Sequence, residues 1–162
     1  MNGFNVAEAG HVVNVIAPQD GNAGAPVTNQ RFSMAKWDHV SIIIQFGVTG
    51  GTPTSILLKA FAAASGGSGT AIGFRSYFQD TAQGISNDVL SAGVDNAATG
   101  ITTITTKDQV FCVIELDSAA LPDGSPWLQL EVTLPASSNL VSAVAILSAG
   151  RNAFASSPSV TS

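Results

Sequence analysis

Between residues 31 and 47 the chain reads RFSMAKWDHVSIIIQFG, a stretch that brings Arg31, Ser33, Lys36, Trp37, Asp38 and His39 close together ahead of an apolar run. Ser33, Asp38 and His39 are the residue types of a nucleophile, an orienting carboxylate and a general base, the set used in acyl transfer. Their spacing argues against that chemistry. In an extended strand neighbouring side chains point to opposite faces, so Asp38 cannot readily orient the ring of His39. No G-x-S-x-G elbow occurs in the chain to lift a serine into reach. A polar strand edge is the plainer reading. His11 stands alone beside Val12 and Val13, far along the chain from His39, and a metal site built from both has no spacing to support it.

Other stretches carry chemistry only by composition. GGSGTAIG (66–73) is glycine-rich like a phosphate loop but lacks the Gly-Lys-Ser/Thr ending and the helix that should follow, so a hairpin turn is expected. DNAATG (95–100) offers oxygen ligands without the alternating carboxylates and closing Glu of a calcium loop, which leaves calcium open. Glu115 and Glu131 could serve as the paired carboxylates of a glycosidase only if their strands faced one cleft; solvated faces are the simpler expectation. Trp37, Tyr77 and Trp127 could stack on a sugar ring, or each could cover an end of the core with its polar atom satisfied. Trp127, following Pro126 at a strand start, suits the lid role. These readings assign no catalytic residue, no cofactor and no metal.

The elements that would position these residues are strands. In DHVSIIIQF, Val40, Ile42, Ile44 and Phe46 share one face while Ser41 and Gln45 take the other. In PWLQLEVTL, Leu128, Leu130, Val132 and Leu134 alternate with Gln129, Glu131 and Thr133. HVVNVI (11–16), SILLKAFAAA (55–64), IGFRSYFQ (72–79), GITTITT (100–106), QVFCVIEL (109–116) and LVSAVAIL (140–147) complete about eight strands bounded by turn residues, the pattern of an all-β sandwich or barrel. SILLKAFAAA also fits a helical stripe, and a strand is preferred. Residues 17–30 and 80–99 are weakly patterned and read as loops or one short extra element. The domain plan is an N-terminal strand and arm over 1–30, a sandwich core over 31–150 and a loose tail over 151–162. No internal repeat of fixed period occurs.

Composition narrows the function classes. The chain has 162 residues, 45% of them apolar, which fits one domain with a real core. Only 10% are charged, against roughly a quarter in ordinary soluble proteins, so Ser, Thr, Asn and Gln must hydrate the surface. Low charge means little mutual repulsion and favours dense packing against neighbours. The net charge is −5 and the six basic residues are scattered, so no stripe exists to neutralise adjacent phosphates and nucleic acid is not an expected partner. Cys112 is alone, which excludes an internal disulfide and suits a small buried apolar residue. No stretch is long and apolar enough for a spanning helix and the N-terminus lacks a signal-peptide pattern, so no membrane partner is expected and the chain should be made and kept in a cytoplasm.

FSMAKWDHVSIIIQFG, followed by SILLKAFAAASGGSGTAIGF, TTKDQVFCVIELDSAALPDGSPWLQLEVTL and VSAVAILSAGRNAFASSP, resembles the small virion structural proteins of tailed bacteriophages. The likeness spans roughly residues 29 to 158 and rests on pattern. It implies a jelly-roll-like antiparallel β-sandwich that coats or reinforces the phage head as a cement or decoration protein. It implies further a homotrimer bound to the major capsid protein at the capsid surface of the virion, without catalytic activity. The turn at Asp123-Gly124 is lengthened here by Ser125-Pro126, a departure from the pattern, and no interface residue transfers by motif.

The residues themselves point the same way. Val144 and Ile146 back a face of Val141, Ala145 and Leu147, and Phe111 and Val113 back Val110, Cys112 and Ile114. A second apolar face needs a cover, which a neighbouring subunit can supply. Arg31, Lys36, Trp37 and Asp38, at a strand entrance, are the expected contact residues. The rival expectation is a carbohydrate-binding sandwich at a phage tail or fibre tip that touches a host glycan.

Overall fold

The computed structural model describes residues 5–21, 26–28, 30–49, 55–79, 91–102, 110–135 and 139–150. A single helical turn, α1 (Val6–Ala9), leads into eleven strand segments: β1 (Gly10–Asp20), β2 (Pro26–Thr28), β3 (Phe32–Ser33), β4 (Trp37–Thr49), β5 (Ser55–Phe61), β6 (Thr70–Ile72), β7 (Phe74–Gln79), β8 (Val94–Asn96), β9 (Phe111–Asp117), β10 (Trp127–Thr133) and β11 (Asn139–Gly150). They form a six-stranded sheet in the order β1-β11-β4-β9-β7-β8 and a second sheet in the order β2-β10-β5-β6, with β3 also on β10. Every named strand pair is antiparallel.

Numbered one to eight in chain order, β1, β2, β4, β5, β6, β9, β10 and β11 run 1-8-3-6 in one sheet and 2-7-4-5 in the other. That is the interleaved order of a jelly roll, the double Greek key in which successive strands pass between the two sheets. β7 and β8 extend the first sheet beyond β9.

Alternation decides which side of each strand is buried. Val40, Ile42, Ile44 and Phe46 of β4 are fully buried, as are Leu128, Leu130, Val132 and Leu134 in and just beyond β10. Ile56, Leu58 and Ala60 of β5, Cys112 and Ile114 of β9, and Val141, Ala143, Ala145 and Leu147 of β11 complete the same core. Each large side chain so enclosed contributes about 1.5–3 kcal/mol relative to exposure. SILLKAFAAA is thus a strand over Ser55–Phe61, because its alternate residues meet the opposite sheet. Cys112 is buried.

One sequence expectation changes, that of a single strand over 72–79, and two take definite form. Residues 17–30 hold the end of β1, which runs on to Asp20, and one short extra element, β2. A register shift between Asn14 and Ile16 lets the consecutive Val15 and Ile16 both face the core, and this obscures the period in the sequence. IGFRSYFQ is two strands in different sheets, parted at Gly73, where any Cβ would lie 2.7 Å from the Asn96 carbonyl oxygen. The weak pattern of 80–99 hides β8, the short extra element. GGSGTAIG does connect an antiparallel pair, β5 and β6, with Gly66 and Gly67 at φ of 68° and 70°, a left-handed turn that other residues adopt at a cost. Of GITTITT, Ile101 bridges Ile56 and residues 103–106 lie outside the described residues, as do 1–4, 80–90 and the tail 151–162. No helix among the described residues is long and apolar enough to cross a membrane.

Leu130, at the centre of the second sheet with no exposed surface, tests this packing. Leu130→Ala should lower unfolding free energy by about 2–5 kcal/mol in a urea titration, whereas Gln129→Ala on the opposite side of the same strand should change it by less than about 1 kcal/mol.

Candidate functional site

The two sheets present unlike outer faces. On the second sheet the outward residues mix polar and apolar: Gln129 pairs Lys59, Thr133 pairs Ser55, and Lys59 Nζ lies 2.8 Å from Glu131 Oε2 across the strands, while Leu57 stands opposite Glu131 and Trp127 opposite Phe61, whose ring Arg31 covers. On the six-stranded sheet a largely apolar row runs across four strands, from Tyr77 to Val113 to Ile43 to Val144, each directly opposite the next. Ile146 and Val12 pair one step along. Val12 and Leu140 are each 51% exposed and Val144 38%. The second apolar face expected of β9 and β11 is therefore present, its members ranging from half-buried (Ile43, Val113, Ile146) to exposed (Val12, Val144).

At one end of this face the row gives way to charge. His39 stands opposite Asp117, and Ser41 opposite Glu115, because β4 and β9 pair in that register. His39 Nδ1 is 2.7 Å from Asp117 Oδ1 and its Nε2 is 2.7 Å from Glu115 Oε2. Ser41 donates its hydroxyl proton to the same Glu115 oxygen at 2.7 Å. Arg75, paired with Glu115 on the far side, donates Nη1–H to Asp95 at 2.9 Å and Nε–H to the Tyr77 hydroxyl at 2.8 Å. The result is a continuous polar border of alternating charge on β4, β9, β7 and β8.

Only an imidazolium can donate from both ring nitrogens at once, so the two carboxylates favour the charged ring. Burial alone would lower the His39 pKa; the hydrogen bonds to Asp117 and Glu115, with the field of both, outweigh it and hold the pKa above its ordinary value. A general base would need a free lone pair aimed at its proton source. Here Ser41 Oγ is 3.5 Å from His39 Nε2 and gives its proton to Glu115 instead. Among the described residues no group of three His, Cys, Asp or Glu side chains is placed to hold a metal ion.

The residues singled out by sequence are dispersed. Asp38 points away from His39 and accepts a 3.4 Å hydrogen bond from Ser118 Oγ. Arg31 is engaged by its own chain: Nη1 donates to the Ala63 and Gly66 carbonyls at 2.9 and 2.7 Å, and the guanidinium lies 3.4 Å over the Phe61 ring. Trp37 is half-buried against the core and stacked with His11, while Lys36 is exposed beside it. Tyr77 sits on the first sheet and Trp127 on the second, so the aromatic residues form no shared platform. Glu115 and Glu131 belong to the outer faces of different sheets, and Asp95 and Asn96 of DNAATG are hydrogen-bonded within the β7–β8 pair. What sequence reading missed is the set of partners for His39. Glu115 and Asp117 alternate on one strand as His39 and Ser41 do on another, but nothing local says that these strands pair.

Fold and surface together define a jelly-roll sandwich with an apolar row across the outer face of its six-stranded sheet, bordered by ion pairs. No protein-family model matches the chain, and a search of curated proteins finds no match. Among solved structures it is similar to the crystal structure of the SPBc2 prophage-derived protein YomS, with a TM-score of 0.46 and 13% identity over 86% of this chain and 93% of that one. A likeness this loose carries no residue's role across.

The His39 cluster has a pH signature. Its folded-state pKa lies above the unfolded value of about 6.5, so its stabilising contribution is full below that value and is lost as pH rises through the folded pKa. The melting temperature of the wild type minus that of His39→Gln should therefore shrink between pH 6 and pH 9. Parallel profiles for the two proteins would disprove the ion pairing.

Proposed function

We propose that this protein is a non-enzymatic structural protein of a phage virion, a homo-oligomeric cement or decoration protein that binds and stabilises the capsid shell. One observation carries the reading: the apolar row from Val113 through Ile43 to Val144, continued by Ile146 and Val12, lies on the outer face of the six-stranded sheet, with Val12 and Val144 exposed and Ile43, Val113 and Ile146 half-buried. Isolated exposed apolar residues are ordinary, whereas a contiguous strip on one face marks an interaction surface.

The dimensions agree. Six strands of 3 to 13 residues, about 4.8 Å apart at about 3.3 Å per residue, present roughly 800 Å² in projection. One side of a standard protein interface is about 800 Å², so a single sheet face comes close to supplying it. A low-charge surface with a net charge of only −5 adds little repulsion between copies. The charged border at His39, Glu115, Asp117, Arg75 and Asp95 would set orientation more than affinity, as rim charges do. The jelly-roll strand order and the resemblance to tailed-phage virion proteins support the assignment to a shell. The His39 geometry supports a non-catalytic role, because the ring is spent on two carboxylates.

Light scattering should find a homo-oligomer, with a trimer expected, and purified protein should attach to phage heads under the electron microscope. Val144→Glu puts a charge at the centre of the strip on an already exposed side chain, so the fold should persist while the oligomer falls to monomer and head binding drops at least tenfold. A wild-type chain that stays monomeric at high concentration and ignores phage heads would refute the proposal.

A further inference from the structure

One end of the sandwich holds a cavity of about 390 Å³ that the outer face does not account for. Its floor is apolar: Val13 of β1, Phe32 of β3 and Leu147 of β11. One wall is the ring pair of His11 and Trp37, inclined by 11° with centroids 6.1 Å apart. The rim carries Ser33 and Lys36. The volume falls within the range of small-ligand sites, about 300–1,000 Å³, and an apolar lining with a few convergent polar groups is their usual composition.

The rim is built rather than incidental. Met34 N–H donates to the Pro126 carbonyl at 2.8 Å and Trp37 N–H to the Met34 carbonyl at 3.0 Å, which ties the connection between β3 and β4 into a turn. Ser33 Oγ accepts from Ala35 N–H at 3.2 Å, so its own proton remains for another acceptor. The turn thus holds an ammonium and a hydroxyl donor beside the Trp37 ring. Among the described residues no carboxylate lines the cavity, although the chain as a whole is acidic. A site whose charged wall group is a lysine attracts anions and rejects cations.

We propose that this cavity binds a flat apolar ring bearing a carboxylate, the ring lying over Phe32 and Leu147 against Trp37 and the carboxylate meeting Lys36 Nζ and Ser33 Oγ. Two sources share this chemistry: a free aromatic acid, and an aromatic side chain next to an acidic one on a polypeptide. The inference is independent of the oligomer reading, since it uses neither the outer face nor the His39 cluster.

Isothermal titration with 3-phenylpropionate, 3-phenylpropylamine and the blocked dipeptide acetyl-Phe-Asp-amide tests it, with the Trp37 indole N–H followed by NMR. The acid should bind saturably and at least tenfold more tightly than the amine, and should shift the Trp37 signal. Lys36→Glu alters an exposed side chain and should leave melting unchanged while reversing that preference. Tighter binding of the dipeptide than of the acid assigns a polypeptide source, and the opposite order a free acid. Equal binding of acid and amine, no saturation by any of the three, or a folded Lys36→Glu protein that keeps the wild-type preference would overturn the proposal.

Discussion

The register of β4 between β11 and β9 is the constraint on which the rest of this molecule depends. Val40, Ile42, Ile44 and Phe46 lie inward, and the same phase sets His39, Ser41, Ile43 and Gln45 outward. A slip of one residue would exchange the two sets, exposing Phe46, Ile42 and Ile44, three of the largest core side chains, with Val40, while burying an imidazole, a hydroxyl and an amide. The cost of that exchange, at about 1.5–3 kcal/mol for each large apolar side chain, exceeds anything the surface contacts could return. His39 meets Asp117, and Ser41 meets Glu115, because the core holds the strands in that phase.

The two sheets share one core and differ outside it. On the outer face of β10 and β5, Gln129, Lys59, Glu131 and Thr133 surround Leu57, and Arg31 covers Phe61, so polar groups break up the apolar surface there. The outer face of β11, β4 and β9 keeps valine and isoleucine where hydration returns little. In a chain of such low charge, that asymmetry is the main directional feature of the surface, and it is where the proposed assembly contact falls. The ion pairs at its border are part-exposed, so each stabilises the fold modestly; their geometry matters more through the protonation state they impose on His39.

The end of the sandwich follows a different logic. There the chain crosses from β3 to β4, and the crossing turn brings Ser33, Lys36 and Trp37 against residues of β1 and β11 that lie distant in sequence. A jelly roll makes such corners because successive strands pass between sheets. The same passage explains Gly73, where close approach to the Asn96 carbonyl admits no side chain as the chain leaves β6 for β7.

The sequence by itself determined the all-β class, the inward faces of β4 and β10, the burial of Cys112 and the doubled apolar character of β9 and β11. Each of these is written in a period of two or in residue type, which are local properties. It also carried enough to separate Asp38 from His39, since adjacent strand residues diverge. What it could not carry was pairing. His39 and Asp117 are 78 residues apart and His39 and Glu115 are 76, and the bulge at Asn14 and the sheet change at Gly73 interrupt the period where it would have been most useful. Only the tertiary structure decided which strands became neighbours, because strand order is chosen by the joint burial of the whole core and by no single segment of it.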